Sequence, residues 1–208
     1  MSTIAYYGDS FCASNRQDSW CVILADLLNS EIQKLGVGGS SIWHTFLEFD
    51  QDLNANNLAD HIIFCWTDSN RLYHPTLPLT VNNKPIKGTD NNIWKAANDY
   101  YRYLSFKDKD DIAYKYALQF FDQNVLKDLD KRKNIVQMWS MLPFDIELKS
   151  GFFMNESCLI HSWDGDMNYK GKPDLNLSNH MTAEQNKNWA KKVYDCMQKN
   201  RYYQSSNR

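Results

Sequence analysis

The sequence has little net charge and no long apolar run, and each absence excludes a class of protein. A net charge of −2 over 208 residues gives no electrostatic case for a nucleic-acid partner. No apolar run approaches the roughly 20 residues that cross a bilayer, so we expect no membrane span. Apolar residues begin almost at the first position, and we therefore expect no cleavable signal peptide.

Paired cysteine motifs are also missing. The five cysteines and five histidines are scattered without C-x-x-C pairs or metal-ligand spacing, so we expect neither a metal site nor a cofactor. An odd number of unpaired cysteines predicts reduced thiols and a cytoplasmic location. A virus-encoded protein and a component of a larger assembly both stay open as sources.

What the sequence contains is enough apolar material for one core. Hydrophobic residues make up 43% and aromatic residues 14% of the chain, and this length is typical of a single domain. We expect residues 1–201 to form that domain and the polar residues 202–208 to be a frayed tail. The oligomeric state does not follow from the sequence.

Apolar runs of strand length alternate with helical patterns. The candidate strands are residues 3–7, 31–36, 61–66, 134–140 and 158–161. An apolar stripe at helical spacing over 20–28 follows a capping residue, Ser19. A capping box of Thr182 and Gln185 begins the last helix. The alternation predicts an α/β fold, a three-layer α/β/α sandwich around a mostly parallel sheet.

Residues 72–130 depart from this alternation. Positions 72–92 hold three of the five prolines and predict a long surface loop, and two helices rich in tyrosine and phenylalanine are predicted over 93–104 and 109–130. One interpretation is extra core packing in a long crossover. The other is a lid or aromatic wall beside a substrate, because long loops in compact domains are often functional.

The first strand runs directly into Gly8-Asp9-Ser10. Gly8 allows a tight turn, and a following helix would direct its N–H groups toward the serine. A serine nucleophile needs a base, most often histidine. His180 is the best candidate because it lies at a loop–helix junction near the end of the chain, and His161 is the second choice. The remaining three are more typical of structural positions: His44, His61 and His74.

Four short blocks stand in the order found in the SGNH (GDSL-like) hydrolases, and the chain resembles a divergent member of that family. The blocks are Gly8-Asp9-Ser10-Phe11, Gly38-Gly39-Ser40, Thr67-Asp68-Ser69-Asn70 and His180. The resemblance implies a flavodoxin-like sheet of about five strands. It also implies roles: Ser10 as nucleophile and first oxyanion donor, Gly39 as second donor, and His180 as general base and then acid.

The third block departs from the family pattern, which has Gly-x-Asn-Asp with the asparagine as third oxyanion donor. Alignment by the strand places Asp68 at that position, and an ionised carboxylate only accepts hydrogen bonds. The alternatives are Asn70 reaching in after a shifted turn, a protonated Asp68, or substitution by Arg71 or Thr67.

The fourth block departs as well. The family has an aspartate three residues before the histidine, where this chain has Leu177. Asp174 is the leading candidate to orient His180, with Asp164 and Asp166 as further candidates. A backbone carbonyl would instead leave a Ser–His dyad, which weakens catalysis without removing it.

These residues predict a serine esterase that works through a Ser10 acyl-enzyme. The tyrosine, tryptophan and asparagine content of 72–130 favours a small-molecule or glycan ester, such as an O-acetylated carbohydrate. A catalytically impaired binding module on the same fold is the alternative. A phosphate-binding loop over 36–39 is a third interpretation, but no Lys-Ser/Thr follows these glycines.

Overall fold

The computed structural model describes residues 1–81, 85–129, 132–162 and 181–206, with side chains described as far as residue 199. The strands are β1 (Ser2–Gly8), β2 (Ser30–Lys34), β3 (His61–Trp66), β4 (Asn134–Trp139) and β5 (Phe152–Ser157). The helices are α1 (Trp20–Leu27), α2 (Ile42–Asn54), α3 (Asn91–Tyr103), α4 (Lys107–Phe121), α5 (Cys158–Ser162) and α6 (Ala183–Ser206). A 3₁₀ turn (Ser10–Cys12) follows β1, and a π turn (Asp122–Leu126) extends α4.

The five strands form one parallel sheet in the order β2-β1-β3-β4-β5. Helices pack on both faces, which confirms the predicted α/β/α sandwich. All six residues of β3 are buried, as expected for a central parallel strand covered on both sides.

Two apolar clusters fill the space on either side of the sheet. Ile63 and Cys65 of β3 face the cluster that includes residues of α1 and α6. Phe64 and Trp66 point the other way and pack with residues of α2 and α4. The period of two along β3 therefore divides its side chains between the two layers.

Local capping signals are realised at two helix starts. The backbone N–H of Gln185 donates to Thr182 Oγ1 (3.3 Å), and the N–H of Thr182 donates to Gln185 Oε1 (2.7 Å), which confirms the predicted capping box. The N–H of Val22 donates to Ser19 Oγ at the start of α1. The last helix, α6, runs to Ser206, into the segment for which the sequence predicts a frayed tail.

The sequence analysis made one wrong assignment and missed one helix. The segment 158–161 is helical, within α5, and the fifth strand is the preceding segment, β5. A short apolar run does not distinguish strand from helix by periodicity alone. The sequence analysis also missed α2, although Ile42, Phe46, Phe49 and Leu53 have helical spacing and pack toward the core.

Residues from 72–79 and from α3 form a small apolar cluster of their own. Leu72 and Leu79 form an antiparallel bridge, and the hydroxyl of Tyr101 donates to the carbonyl of Leu79 (2.7 Å). Trp94 of α3 is buried in the same cluster. By contrast, α4 packs on the sheet, with three buried side chains in the second cluster: Tyr114, Leu118 and Phe121.

Candidate functional site

Strand order locates the candidate site. The chain reverses its direction of winding between β1 and β3, and open parallel sheets bind ligands outside the carboxyl ends of strands at such a switch point. Ser10 follows β1 at this edge, and Thr67 and Asp68 follow β3. The first and third blocks of the sequence therefore meet at the edge where a ligand is expected.

Ser10 begins the 3₁₀ turn, and α1 begins only at Trp20. The sequence analysis expected a helix directly after the serine; the structure has a single turn instead. The side chain of Asp9 caps this turn by accepting a hydrogen bond from the N–H of Phe11 (3.1 Å). Gly8 has φ +155°, and a Cβ there would lie 2.4 Å from the carbonyl oxygen of Cys65, so no side chain fits between β1 and β3.

The glycine loop over 36–40 is hydrogen-bonded to the serine turn. The carbonyl of Gly8 accepts hydrogen bonds from the N–H of Val37 and from Ser40 Oγ, each at 2.9 Å. A Cβ on Gly38 would lie 3.9 Å from the Cβ of Ser10, whereas a Cβ on Gly39 would lie 2.3 Å from the Cβ of Pro78. Gly38 is thus a close neighbour of Ser10, and Gly39, with φ +75°, meets Pro78.

Two side chains of the loop after β3 (residues 67–71) bond to Asp9. Thr67 Oγ1 donates to Asp9 Oδ2 (2.8 Å), and Nη1 of Arg71 pairs with the same oxygen (3.0 Å). The same nitrogen also donates to the carbonyl of Ser40 (3.2 Å). Both side chains considered as substitute oxyanion donors, Thr67 and Arg71, are therefore bonded to a buried carboxylate.

Asp68 and Asn70 differ in their surroundings. Asp68 is half-buried and Asn70 is exposed. Burial raises the pKa of the Asp68 carboxyl above its usual value, and nearby Asp9 and Asp111 add to this effect, while Arg71 opposes it. The neutral form of Asp68 is therefore favoured relative to that of an exposed aspartate.

Ser10 lines a cavity of about 350 Å³ between the serine turn and the start of α6. Its other lining residues come from three places: the turn and loop after β1 (Phe11, Ser14, Arg16, Asp18), the start of α1 (Ser19, Trp20), and the start of α6 (Met181, Thr182, Ala183, Asn186). Asn186 Oδ1 accepts a hydrogen bond from the N–H of Trp20 (2.9 Å), which joins α6 to α1 beside this cavity. No local pattern in the sequence indicates that contact.

A second cavity, of about 270 Å³, is lined by residues from α2, from α4 and from the loop after β3. Its wall combines aromatic rings with polar groups: Trp43, Tyr73, Tyr100, Tyr114, Ser69, Asn70, Arg71, Lys109 and Asp110. Trp43 is 50% exposed and Tyr73 is 41% exposed, so two ring faces are open to a ligand. Arg71 lines this cavity while it pairs with Asp9.

The predicted base and the candidates for its orienting acid lie outside the described residues. His180, Asp174, Asp164 and Asp166 all lie between 163 and 180, and their predicted roles stay predictions. His161, the second choice, lies in α5, where Nε2 is 3.2 Å from the carbonyl oxygen of Gln185.

Among the described residues, no helix is both long and apolar enough to cross a membrane. Over the same ranges, no cluster of three histidine, cysteine or acidic side chains could hold a metal ion. Burial raises the pKa of the thiols of Cys12 and Cys65, and this keeps them protonated and poorly nucleophilic.

No family model and no curated protein matches the chain. Among solved structures, it is similar to the psychrotrophic esterase EstA from Pseudoalteromonas sp., in a structure inhibited by monoethylphosphonate, with a TM-score of 0.51, 12% identity, and coverage of 96% of this chain and 98% of that chain. A protein from Desulfitobacterium hafniense DCB-2 classed with the G-D-S-L lipolytic family gives a TM-score of 0.47 at 12% identity, over 94% and 99% of the two chains. At such identity, the likeness to EstA shows the fold alone, an α/β/α sandwich around a parallel sheet.

Proposed function

We propose that this protein is a serine hydrolase of carboxylic esters, with Ser10 as the nucleophile and His180 as the base. One observation carries the proposal: Ser10 shares a cavity with Met181 and Thr182, the two residues that directly follow His180 in the chain. His180 itself lies outside the described residues, so its role as the base is part of the proposal.

In the proposed reaction, His180 takes the proton from Ser10 Oγ as the oxygen attacks the carbonyl carbon of the ester. The tetrahedral intermediate collapses, and the alcohol leaves with the proton held by His180. Water then attacks the acyl-enzyme, again with His180 as base, and releases the acid and free Ser10. Asp174 would orient the imidazole of His180.

The oxyanion would be held by the backbone N–H groups of Ser10 and Gly39 and by a third donor from the loop after β3. Loss of one oxyanion donor typically lowers the rate about 100- to 1000-fold. Asp68 serves as the third donor only when protonated, and its raised pKa favours that form. Asn70 is the other candidate for this position.

For the substrate, we propose an ester on a carbohydrate, such as an O-acetyl group. The open rings of Trp43 and Tyr73 lie in one cavity with Asn70, Lys109 and Asp110. Flat apolar faces surrounded by hydrogen-bonding groups suit a sugar ring better than a long acyl chain, which favours predominantly hydrophobic linings.

A binding module without catalysis is the second candidate, and Asp68 favours it. An ionised carboxylate at the expected third-donor position would repel an oxyanion. The two candidates differ in whether Ser10 reacts covalently.

Labelling with a fluorophosphonate probe tests the proposal, because EstA is inhibited by a phosphonate and such probes form a bond to an activated serine oxygen. We expect a single adduct on the peptide that contains Ser10, and no adduct in Ser10→Ala or His180→Ala. Ser14→Ala is the matched control, because Ser14 lines the same cavity; it should label like the wild type. An unlabelled wild-type protein would favour the binding module.

A further inference from the structure

A buried ion pair lies directly beneath the serine turn. The side chain of Asp9 is fully buried and that of Arg71 is 7% exposed, with Nη1 of Arg71 3.0 Å from Asp9 Oδ2. The two carboxylate oxygens of Asp9 have separate tasks: Oδ1 accepts from the N–H of Phe11, and Oδ2 accepts from Thr67 and Arg71.

Three loops converge on this pair. Asp9 belongs to the turn that carries Ser10, Thr67 and Arg71 belong to the loop after β3, and Ser40 ends the glycine loop and accepts from Nη1 of Arg71 (3.2 Å). Ser40 Oγ in turn donates to the carbonyl of Gly8. A single guanidinium nitrogen therefore joins the serine turn to the glycine loop.

Removing only one member of this buried ion pair costs stability. A buried carboxylate that loses its cation is left with an uncompensated charge, which is strongly destabilising. The side chain of Asp9 also caps the turn that begins at Ser10. A shift of this side chain after loss of the cation would therefore disturb the turn. The energy of the ion pair is thus coupled to the geometry of the turn.

We propose that Arg71 is a positioning residue, which fixes the Ser10 turn against the glycine loop by holding Asp9 and the Ser40 carbonyl together. The effect of Arg71 on the reactivity of Ser10 rests on the proposed function. Its effect on the stability of the loops does not. The planar, permanently charged guanidinium suits this task better than a flexible ammonium.

The rate of phosphonate labelling tests the catalytic consequence. Arg71→Gln removes the charge, and we expect labelling of Ser10 to slow by about 100-fold, because a displacement of about 1 Å at a reacting atom has that effect. Arg71→Lys should recover part of the rate. Arg102→Gln, at the exposed end of α3, controls for loss of an arginine and should label normally. Normal labelling of a folded Arg71→Gln protein would overturn the proposal.

Amide hydrogen exchange tests the positioning role of Arg71 without depending on catalysis. In Arg71→Gln, we expect faster exchange at Val37 and Gly36, whose N–H groups bond to the carbonyls of Gly8 and Cys12, and unchanged exchange in β4. Unchanged exchange at both Gly36 and Val37 would overturn the positioning role even if the wild type is not labelled. An unlabelled wild type with faster loop exchange in the variant would instead overturn only the proposed hydrolase.

Discussion

The hydroxyl of Tyr114 donates a hydrogen bond to the backbone carbonyl of Thr67, so that α4 is fastened to the end of β3. Tyr114 is 2% exposed, and burial raises the pKa of its hydroxyl well above the usual value, so the group stays a donor. A helix from the segment that breaks the strand–helix alternation thus supports the loop that carries Asp68 and Arg71.

Tyr114→Phe should lower the free energy of unfolding by about 1–3 kcal/mol, because a buried carbonyl loses this donor. Urea unfolding measures the change. Tyr116→Phe is the matched control on the same helix; Tyr116 is 68% exposed, and its replacement should change the stability by less than about 0.5 kcal/mol. Equal effects of the two substitutions would contradict a special role for the Tyr114 contact.

Asp68→Asn should make the protein more stable at neutral pH. Burial raises the folded-state pKa of Asp68 above its unfolded value, so the folded state binds more protons between these two values. Stability is therefore lost as pH rises from the unfolded pKa through the folded pKa. Asparagine carries no charge and avoids this loss.

Thermal unfolding at pH 7 and near pH 3.5 checks this sign. The stabilisation of Asp68→Asn should be present at pH 7 and should shrink at the lower pH, where Asp68 is largely protonated in both states. Asp99→Asn, at an exposed position of α3, is the control and should show no such pH-dependent gain. The same gain at both pH values would rule out the electrostatic cause.

Gly38→Ala and Gly39→Ala should have different effects: the first on the reactivity of Ser10, and the second on the stability of the fold. A Cβ at Gly38 makes ordinary contact with Ser10, at 3.9 Å, so we expect a near-normal Tm but slower labelling of Ser10. A Cβ at Gly39 meets Pro78 at 2.3 Å with φ +75°, and backbone strain alone costs about 1–3 kcal/mol. Thermal unfolding should show a clear drop in Tm only for Gly39→Ala; a larger drop for Gly38→Ala would contradict this geometry.

Trp43→Ala should discriminate between substrates. Removing this ring from the second cavity should lower kcat/KM for an acetylated sugar by about 10-fold, because one good contact of about 1.4 kcal/mol corresponds to that factor. The value for p-nitrophenyl acetate, which has no sugar, should hardly change. Tyr103→Ala is the control, since Tyr103 is exposed but does not line the cavity. Equal losses on both substrates would argue against a sugar subsite.

Much of the fold could be predicted because its signals are local. The apolar runs of β1, β3 and β4 have the length of strands and alternate with helical patterns, and the capping box of Thr182 and Gln185 needs only neighbouring residues. The short run at 158–161 was misassigned because so few apolar residues fit a strand or a helix equally well. In the structure, the preceding segment β5 pairs with β4, and the run itself lies in α5.

In the candidate site, the turn at Gly8-Asp9-Ser10 could be predicted from the sequence. Its signal is local, because the glycine directly follows an apolar run of strand length. The clustering of Asp9 with Arg71, and of Thr67 with Tyr114 across 47 positions, had no local signal. The packing of β1 beside β3 brings Asp9 to Arg71, and the packing of α4 on the sheet brings Tyr114 to Thr67. Buried charges and carbonyls need such partners, wherever in the chain these come from. The sequence alone determined which residue could act as nucleophile, and the tertiary structure decided which side chains support it.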